Sequence, residues 1–455
     1  MMYKDYKRPA YEWLPDIPHH WQELFIQQVS HEQKNRNTGN IERLVLSLSY
    51  GNIIRKKNVD AGLVAKDLST YQIVDKNNII LRFTDLQNDH KSLRTGLVKE
   101  RGIITSAYTC IVPTINAAYL HYVLHSYDTQ KVFYGMGGGV RQSIGYDDIR
   151  HMFVPVPPND EQDQIVRYLD WQISRINKLI HGYQRQIRLL QEKTQKLTCD
   201  AVLHGLNEKA AMKPSGIQNI DLIPEHWRVL QNKRIFAERT EFSETGQETL
   251  LSVSKHYGVK PYYSLEEGEQ YATIKPAESL VGYKIVLKND IAMNIMRARN
   301  GSFGVSEYDG IVSPAYAVFR PIIDCNPQYM HYLLRTPHVI GIFESYSYGI
   351  AEHRRRLYAV DFLRLYLPVP PVNEQDTIVQ YIESIQERTK EVTDRIQKEI
   401  DLLREYRTRL ISDVVTGQMD VRGIEIPDYS PEEDTEETDE DNEETEVEPN
   451  AESDE

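Results

Sequence analysis

The sequence predicts an α+β fold: two mixed α/β domains joined by two long antiparallel helices that form an intramolecular coiled coil, the whole pseudo-twofold symmetric. Three observations lead there. Pro155-Val156-Pro157-Pro158-Asn159-Asp160-Glu161-Gln162-Asp163 returns 213 residues later as Pro368-Val369-Pro370-Pro371-Val372-Asn373-Glu374-Gln375-Asp376. Upstream, Ile17-Pro18-His19-His20-Trp21 returns as Ile223-Pro224-Glu225-His226-Trp227. A long helical pattern follows each proline junction. Halves of about 200 residues far exceed solenoid repeats, so the chain reads as a duplicated domain-plus-helix unit.

The first mixed domain is expected at 1–157. Its short apolar runs, Leu44-Val45-Leu46-Ser47-Leu48, Ile79-Ile80-Leu81 and Ile103-Ile104, are broken by Gly, Asn and Asp. That pattern gives strands and turns with some helix. The first helical region follows at 158–207. Ile165, Leu169, Ile173, Ile176, Ile180, Tyr183, Ile187, Leu190, Leu197 and Ala201 are spaced by threes and fours, with Thr194 in the one gap. This is a heptad seam.

The second mixed domain, 208–370, repeats the order of the first. Leu46-Ser47-Leu48-Ser49 before Tyr50-Gly51 matches Leu251-Ser252-Val253-Ser254 before Tyr257-Gly258. Tyr119-Leu120-His121-Tyr122 matches Tyr329-Met330-His331-Tyr332. The second helical region, 371–421, carries Ile378, Ile382, Ile385, Val392, Ile396, Ile400, Leu403, Leu410 and Val414, interrupted by Thr389 and Arg407. Prolines punctuate both boundaries because they fit neither a strand ladder nor a helix interior. Asn159 or Asp160, and Asn373, are the expected N-caps, with Glu161 and Glu374 in the favourable first turn. Gly205 and Gly417 mark the stops. Helices of some 40 residues are about 60 Å long. Neither buries its seam alone, and pairing with each other is the simplest solution.

From Glu432 to Glu455 there are 15 acidic residues and no Lys or Arg. Taking those 15 from the 67 Asp and Glu leaves 52, against 53 Lys and Arg. The net charge of −14 therefore belongs to the tail, and the body is near neutral. A neutral body still carries local basic faces, and these attract phosphate. The tail, assigned to 422–455, is expected to be disordered. It reads either as a solubilising appendage or as an acidic competitor for a basic site.

A hydrophobic content of 40% and a charged content of 26% fit an ordinary soluble protein. No run of 18 apolar residues occurs, and residues 1–13 hold no apolar signal core, so a cytoplasmic location is expected. Cys110, Cys199 and Cys325 form no CxxC pair, which argues against a zinc site or a disulfide frame. No phosphate-binding loop, HExxH or GxSxG motif is present. Gly135-Met136-Gly137-Gly138-Gly139 lacks a strand-then-helix context. Asn326-Pro327-Gln328-Tyr329 reads as a helix start. His19, His20 and His226 read as surface turn residues.

Basic loops with aromatic and amide neighbours are the remaining candidates. The first half offers Arg55, Lys56, Lys57, Lys91, Arg94, Arg141 and Gln142; the second offers Lys255, Lys260, Arg297, Arg299, Arg354, Arg355 and Arg356. Arg and Gln read base edges through bidentate contacts, and the same residues bind phosphates without reading sequence. The sequence leaves these two uses open. Each residue alone is most simply a solvated surface charge; their recurrence as matched loops is the informative part.

Over about residues 5–420 the chain resembles the specificity subunit of type I restriction–modification systems. The doubled Ile-Pro-x-His-Trp motif at 17–21 and 223–227, the doubled Pro-Val-Pro-Pro…Glu-Gln junction at 155–162 and 368–375, and the long helix after each carry the resemblance. It implies two target recognition domains, each reading one half of a split double-stranded DNA target, and two helical spacers. It implies a non-catalytic chain with no cofactor of its own. Two methyltransferase subunits would dock on the helices and methylate adenine from S-adenosylmethionine. Restriction/translocase subunits using ATP and Mg would then join. A specificity component of a type IIB-like enzyme and a non-enzymatic coiled-coil scaffold are the alternatives. The acidic tail lies outside the family pattern.

Overall fold

A computed structural model describes residues 2–10, 14–56, 67–84, 93–136, 144–264, 279–349 and 355–432. The expectation of disorder for the tail falls outside these from residue 433 onward. The chain divides into two units, one of residues 1–185 with 396–455 and one of residues 186–395.

The main sheet of the first unit runs in the order Ser30–Gln33, Thr109–Pro113, Ile79–Leu81, Thr95–Leu97, Asn52–Arg55, Leu46–Ser49. Neighbours are antiparallel, except that Asn52–Arg55 pairs parallel with Thr95–Leu97. Leu46–Ser49 alternates buried and half-buried positions, as a strand with one face inward must. Ile79–Leu81 is buried throughout, as a central strand covered on both faces. Small antiparallel pairs complete the unit: Gln72–Val74 with Gly102–Ile104, Gln22–Phe25 with Phe153–Val156, and Tyr6–Lys7 with Ile17–Pro18. The helix Ala117–Thr129 is capped by Asn116, whose Oδ1 accepts the Tyr119 N–H at 3.1 Å.

The second unit repeats this pairing scheme. Its sheet runs Phe236–Glu238, Tyr316–Pro321, Ile291–Asn294, Phe303–Val305, with Leu251–Ser254 and Gly258–Pro261 as a separate hairpin. Lys284–Val286 pairs with Gly310–Val312, Arg228–Gln231 with Tyr366–Val369, and Met212–Ile217 with Ile220–Pro224. Each pair has its counterpart in the first unit, so the sequence repeat is a repeat of topology. Trp227, Phe236, Phe303, Phe319, Phe343 and Phe362 are the large aromatic side chains buried in its core. Asn326 caps the helix Pro327–Leu334, as its sequence predicts.

The long helices span Asn159–His204 and Val372–Val415. The expected caps at Asn159, Asp160 and Asn373 are displaced to the prolines before them. The carbonyl of Pro158 accepts from Gln162 N–H at 2.9 Å, and that of Pro371 accepts from Gln375 N–H at 3.0 Å. A proline suits this position because its carbonyl opens the helix while its own nitrogen lies outside it. Gly205 and Gly417 end the helices in the left-handed region, at φ +76° and +75°.

Within each unit, polar contacts join the first long helix to the second or to the residues just after it. In the first unit Arg407 donates to Asn177 Oδ1 at 2.8 Å, and the Tyr168 hydroxyl lies 3.6 Å from the Met419 sulfur. In the second, Thr194 and Thr389 share a hydrogen bond of 2.7 Å. Ile165, Leu169, Ile176, Ile180, Ile378, Ile382, Ile396 and Ile400 of the expected seam are buried. Val392 is not; it is 39% exposed, and the half-buried Thr393 takes the inward position instead. A straight helix at 3.6 residues per turn drifts from a 3.5 repeat, and the seam shifts here by one residue.

The repeated junction motifs bind each helix to its domain. Gln162 accepts the Asn116 N–H at 3.1 Å and donates to Pro157 O at 2.9 Å; Gln375 accepts the Asn326 N–H and donates to Pro370 O, both at 2.8 Å. His20 and His226 are exposed turn residues, as expected, and each also reaches a glutamate in the first turn of a long helix. His20 Nε2 lies 2.8 Å from Glu161 Oε2, and His226 Nε2 lies 2.7 Å from Glu374 Oε2. The expected tail also begins later than residue 422. Gln164 donates to Val421 O and Ile424 O, and Asn177 donates to Glu432 O, so 421–432 is held along the first long helix.

Candidate nucleic-acid interface

The second unit gathers its basic segments. Lys255 is exposed on the turn between Leu251–Ser254 and Gly258–Pro261. Lys260, in the return strand, is half-buried with its ammonium 5.2 Å from the centre of the Tyr257 ring. Arg297 precedes the single turn Ala298–Asn300, which contains Arg299; both are half-buried. Gly301 closes that turn at φ +85°, a conformation that suits glycine, and packs beside Lys255 Cβ. Arg356 is exposed and exchanges backbone hydrogen bonds with Tyr348. Arg355 donates from Nε to Ser347 O at 3.1 Å. Leu357 N–H donates to Ile295 O at 2.9 Å, which ties the 355–357 segment to the 295–300 segment. Arg354 lies outside the described residues.

Two features of this site were not legible beforehand. Arg335 reads in sequence as a cation ending the helix Pro327–Leu334. In the structure its guanidinium turns inward and donates to Gly301 O at 3.3 Å and Phe303 O at 2.9 Å, and also to Lys255 O. Burial lowers its pKa. Tyr348 and Tyr358, 58% and 38% exposed, bring their rings to 5.3 Å beside Arg356. Aromatic faces among cations are suited to sugars and bases.

The first unit shows less of its candidate surface. Lys57, Lys91, Arg141 and Gln142 lie outside the described residues. Arg55 is exposed but forms a two-point pair with Glu100, Nε to Oε1 at 2.6 Å and the terminal nitrogen to Oε2. Lys56, half-buried, donates its backbone N–H to Val45 O at 3.0 Å. Arg94 corrects the expectation of a surface cation. It is wholly buried, donates to Thr84 O at 2.7 Å, and reaches the Tyr134 ring at 5.8 Å. Its hydrocarbon stem and planar head fill the interior where an aliphatic residue would leave a carbonyl unpaired. Arg239 serves the fold in the same way, pairing with Asp290 at 2.6 Å.

Among the described residues no His, Cys, Asp and Glu group is arranged to hold a metal. An open groove of about 440 Å³ in the first unit is lined by Gln130, Glu405, Arg409, Ser412 and Asp413. Gln130 and Ser412 bridge it at 2.9 Å. No nucleophile paired with a base lines it. No described helix is long and apolar enough to cross a membrane.

Comparison with known proteins follows the same lines. Residues 224–402 match the family model described as type I restriction modification DNA specificity domain. A relative from Methanocaldococcus jannaschii, named as a candidate type I restriction enzyme MjaX specificity subunit, is 24% identical over 319 residues, covering 68% of this chain and 69% of that protein. A solved chain from work on complex assembly and conformational transition of the type I R-M system has the same fold. It aligns with TM-score 0.59 and 14% identity, over 89% of this chain and 99% of that one. The HsdS subunit of Thermoanaerobacter tengcongensis aligns with TM-score 0.44 and 15% identity, over 89% and 99%. The matched domain fills the second half, and the first half repeats its strand pairing and junction motifs. Residues 224–402 thus match a type I restriction modification DNA specificity domain, and the chain over most of its length is similar to the specificity subunits of type I restriction–modification systems.

Proposed function

We propose that each mixed domain reads one half of a bipartite double-stranded DNA target, and that the paired helices set the unread spacer between the halves. The observation that carries this reading is a repeated framework bearing unrepeated loops. The junction contacts of Gln162 and Gln375 are the same. The basic segments differ: Arg55 is paired with Glu100, whereas Lys255, Arg297 and Arg356 stand on three linked segments. Like-shaped readers with unlike loops suit a target with two unlike parts.

The hydrogen bonds between the long helices, Arg407 to Asn177 and Thr194 to Thr389, support an intramolecular antiparallel coiled coil with a pseudo-twofold axis relating the halves. Its helices are both ruler and docking surface for two methyltransferase subunits, with restriction subunits joining them. In this reading the chain is non-catalytic and cytoplasmic. S-adenosylmethionine, ATP and Mg belong to the partner subunits. The basic candidates Arg55, Lys56, Lys57, Lys91, Arg141, Gln142, Lys255, Lys260, Arg297, Arg299, Arg354, Arg355 and Arg356 supply phosphate and base contacts.

Methylome sequencing of a host with and without this gene tests the reading. A bipartite adenine-methylated motif that appears only with the gene is expected. Absence of any gene-dependent motif, in a host that also supplies type I methyltransferase subunits, overturns it.

A further inference from the structure

Three loops separated by up to about 100 residues meet in the second unit, and one half-buried cation lies at two of them. The Arg335 guanidinium donates to the carbonyls of Gly301 and Phe303, on the segment after Arg297 and Arg299. It also donates to the carbonyls of Ser254, at 3.5 Å, and Lys255, on the hairpin turn. All four acceptors are backbone, so the contact fixes where two stretches of main chain run without occupying the exposed Lys255 or the half-buried Arg297 and Arg299 side chains. The third segment joins through Leu357 N–H and Ile295 O.

We propose that Arg335 is a positioning residue for sequence reading by the second domain: its guanidinium locks the Lys255 turn to the Arg297–Gly301 loop and holds their cations in one register on DNA. The inference rests on the reading that this domain contacts one half-site. Guanidinium suits the task because its planar fork offers donors in fixed directions: one terminal nitrogen serves the Ser254, Gly301 and Phe303 carbonyls, sharing a hydrogen between two of them, and the other serves the Lys255 carbonyl. An ammonium has three donors on a flexible stem and satisfies fewer of them. Carbonyls carry no net charge, so the half-buried cation keeps its positive field beside the loop pair. Closure of the two loops adds to this. A Cβ on Gly301 would lie 3.3 Å from Ile340 Cδ1 and 3.9 Å from Lys255 Cβ, so little room exists for the loops to drift while Arg335 is in place. The position equivalent to Arg335 in the first half, six residues after the Tyr119 that matches Tyr329, is His125. The device therefore belongs to one reader and not to the shared framework.

The test is the methylome of a host producing the complete complex with Arg335→Gln, Arg335→Lys or wild-type chain. Arg335→Gln is expected to degrade one half of the bipartite motif, with methylation there falling 10-fold or more against near-cognate sites, while the other half is read as before. Arg335→Lys is expected to fall between. A double variant with Arg297→Ala is expected to be no worse than the more severe single variant, because both act on one loop. Hydrogen exchange of amides 295–303 should speed up, with those of 317–319 unchanged. An unaltered motif in both Arg335 variants overturns the inference, as does equal loss at both halves. If Arg335→Gln does not accumulate, the Arg335→Lys motif and exchange data decide alone. A wild-type chain that yields no bipartite motif overturns the functional reading instead.

Discussion

Thr194 and Thr389 share a hydrogen bond of 2.7 Å between their hydroxyls, within the second unit. Each interrupts a heptad seam, Thr194 that of the first helix and Thr389, like Arg407, that of the second. A polar pair in an apolar seam fixes register at some cost in stability. Replacing one partner leaves a hydroxyl unpaired, and either Thr194→Val or Thr389→Val should destabilise this unit by about 1 kcal/mol. The double Val variant should recover that loss or exceed the wild type, giving a coupling of about 1 kcal/mol. Denaturant titration followed by hydrogen exchange of the helices checks it; additive single losses would show that the pair has no energetic link.

That pairing also shows how much the sequence disclosed. The seams, stops and duplicated anchors were legible because each depends on local spacing or on a residue with special backbone chemistry. Thr194, Thr389 and Arg407 were visible as gaps, but a gap does not reveal its partner 195 or 230 residues away. The basic loops could be located and not sorted. Arg94 and Arg356 look alike in sequence, yet one is wholly buried and the other exposed, a difference decided by tertiary packing. The Pro158 and Pro371 caps were missed because side-chain capping rules favour Asn and Asp, and here the carbonyl alone begins the helix.

Gly417 and Gly205 should differ in their tolerance of a side chain. Both have positive φ, which for a non-glycine residue costs about 1–2 kcal/mol. A Cβ on Gly417 would fall 2.2 Å from Pro18 Cδ, whereas one on Gly205 would meet Glu374 Oε1 at 3.1 Å and Trp227 at 3.3 Å. The proline ring cannot yield as a carboxylate can. Gly417→Ala is expected to cost about 3 kcal/mol and Gly205→Ala about 1–2 kcal/mol. Thermal and denaturant melts of the two variants give the comparison, and equal losses would contradict it.

Arg94 and Arg356 should separate stability from DNA binding. Arg94→Ala removes a buried guanidinium and leaves Thr84 O without that donor, so a loss of about 2–3 kcal/mol is expected. Arg356→Ala should change stability by less than about 0.5 kcal/mol and reduce the slope of log affinity against log salt by about 1. Salt-dependent DNA titration of the folded variants distinguishes the two. An unchanged slope for Arg356→Ala removes it from the phosphate contacts.

Acid should weaken both units through buried histidines. Burial lowers His121 to about 4, His125 to about 3 and His331 to about 4. Each folded pKa lies below the unfolded value near 6.5, so the unfolded chain binds more protons in between. The stabilisation is complete above pH 6.5 and falls as pH drops towards 4, by on the order of 3 kcal/mol for His331. His331 Nδ1 accepts the Val305 N–H at 3.3 Å, and protonation would turn that acceptor into a donor. His331→Gln keeps an acceptor without titrating and should flatten the acid dependence of the second unit. Hydrogen exchange of amides 303–305 from pH 7 to 4 reports it; the same steep dependence in the variant would rule His331 out.

The helices can be tested as a ruler by shortening both in register. Partner numbers sum to nearly the same value along the pair, 177 with 407 and 194 with 389, so deleting 191–197 and 386–392 removes facing segments. Seven residues at 1.5 Å each shorten the rod by about 10 Å. At 3.4 Å per base pair that is about three base pairs. Two seams of period seven rejoin in phase after such a deletion, so the pairing survives while the span contracts. The methylated motif should keep both half-sites and lose about three base pairs of spacer. Deleting seven residues from one helix alone should instead break the facing register and abolish methylation. A double deletion that leaves the spacer unchanged means that another part of the complex sets the distance.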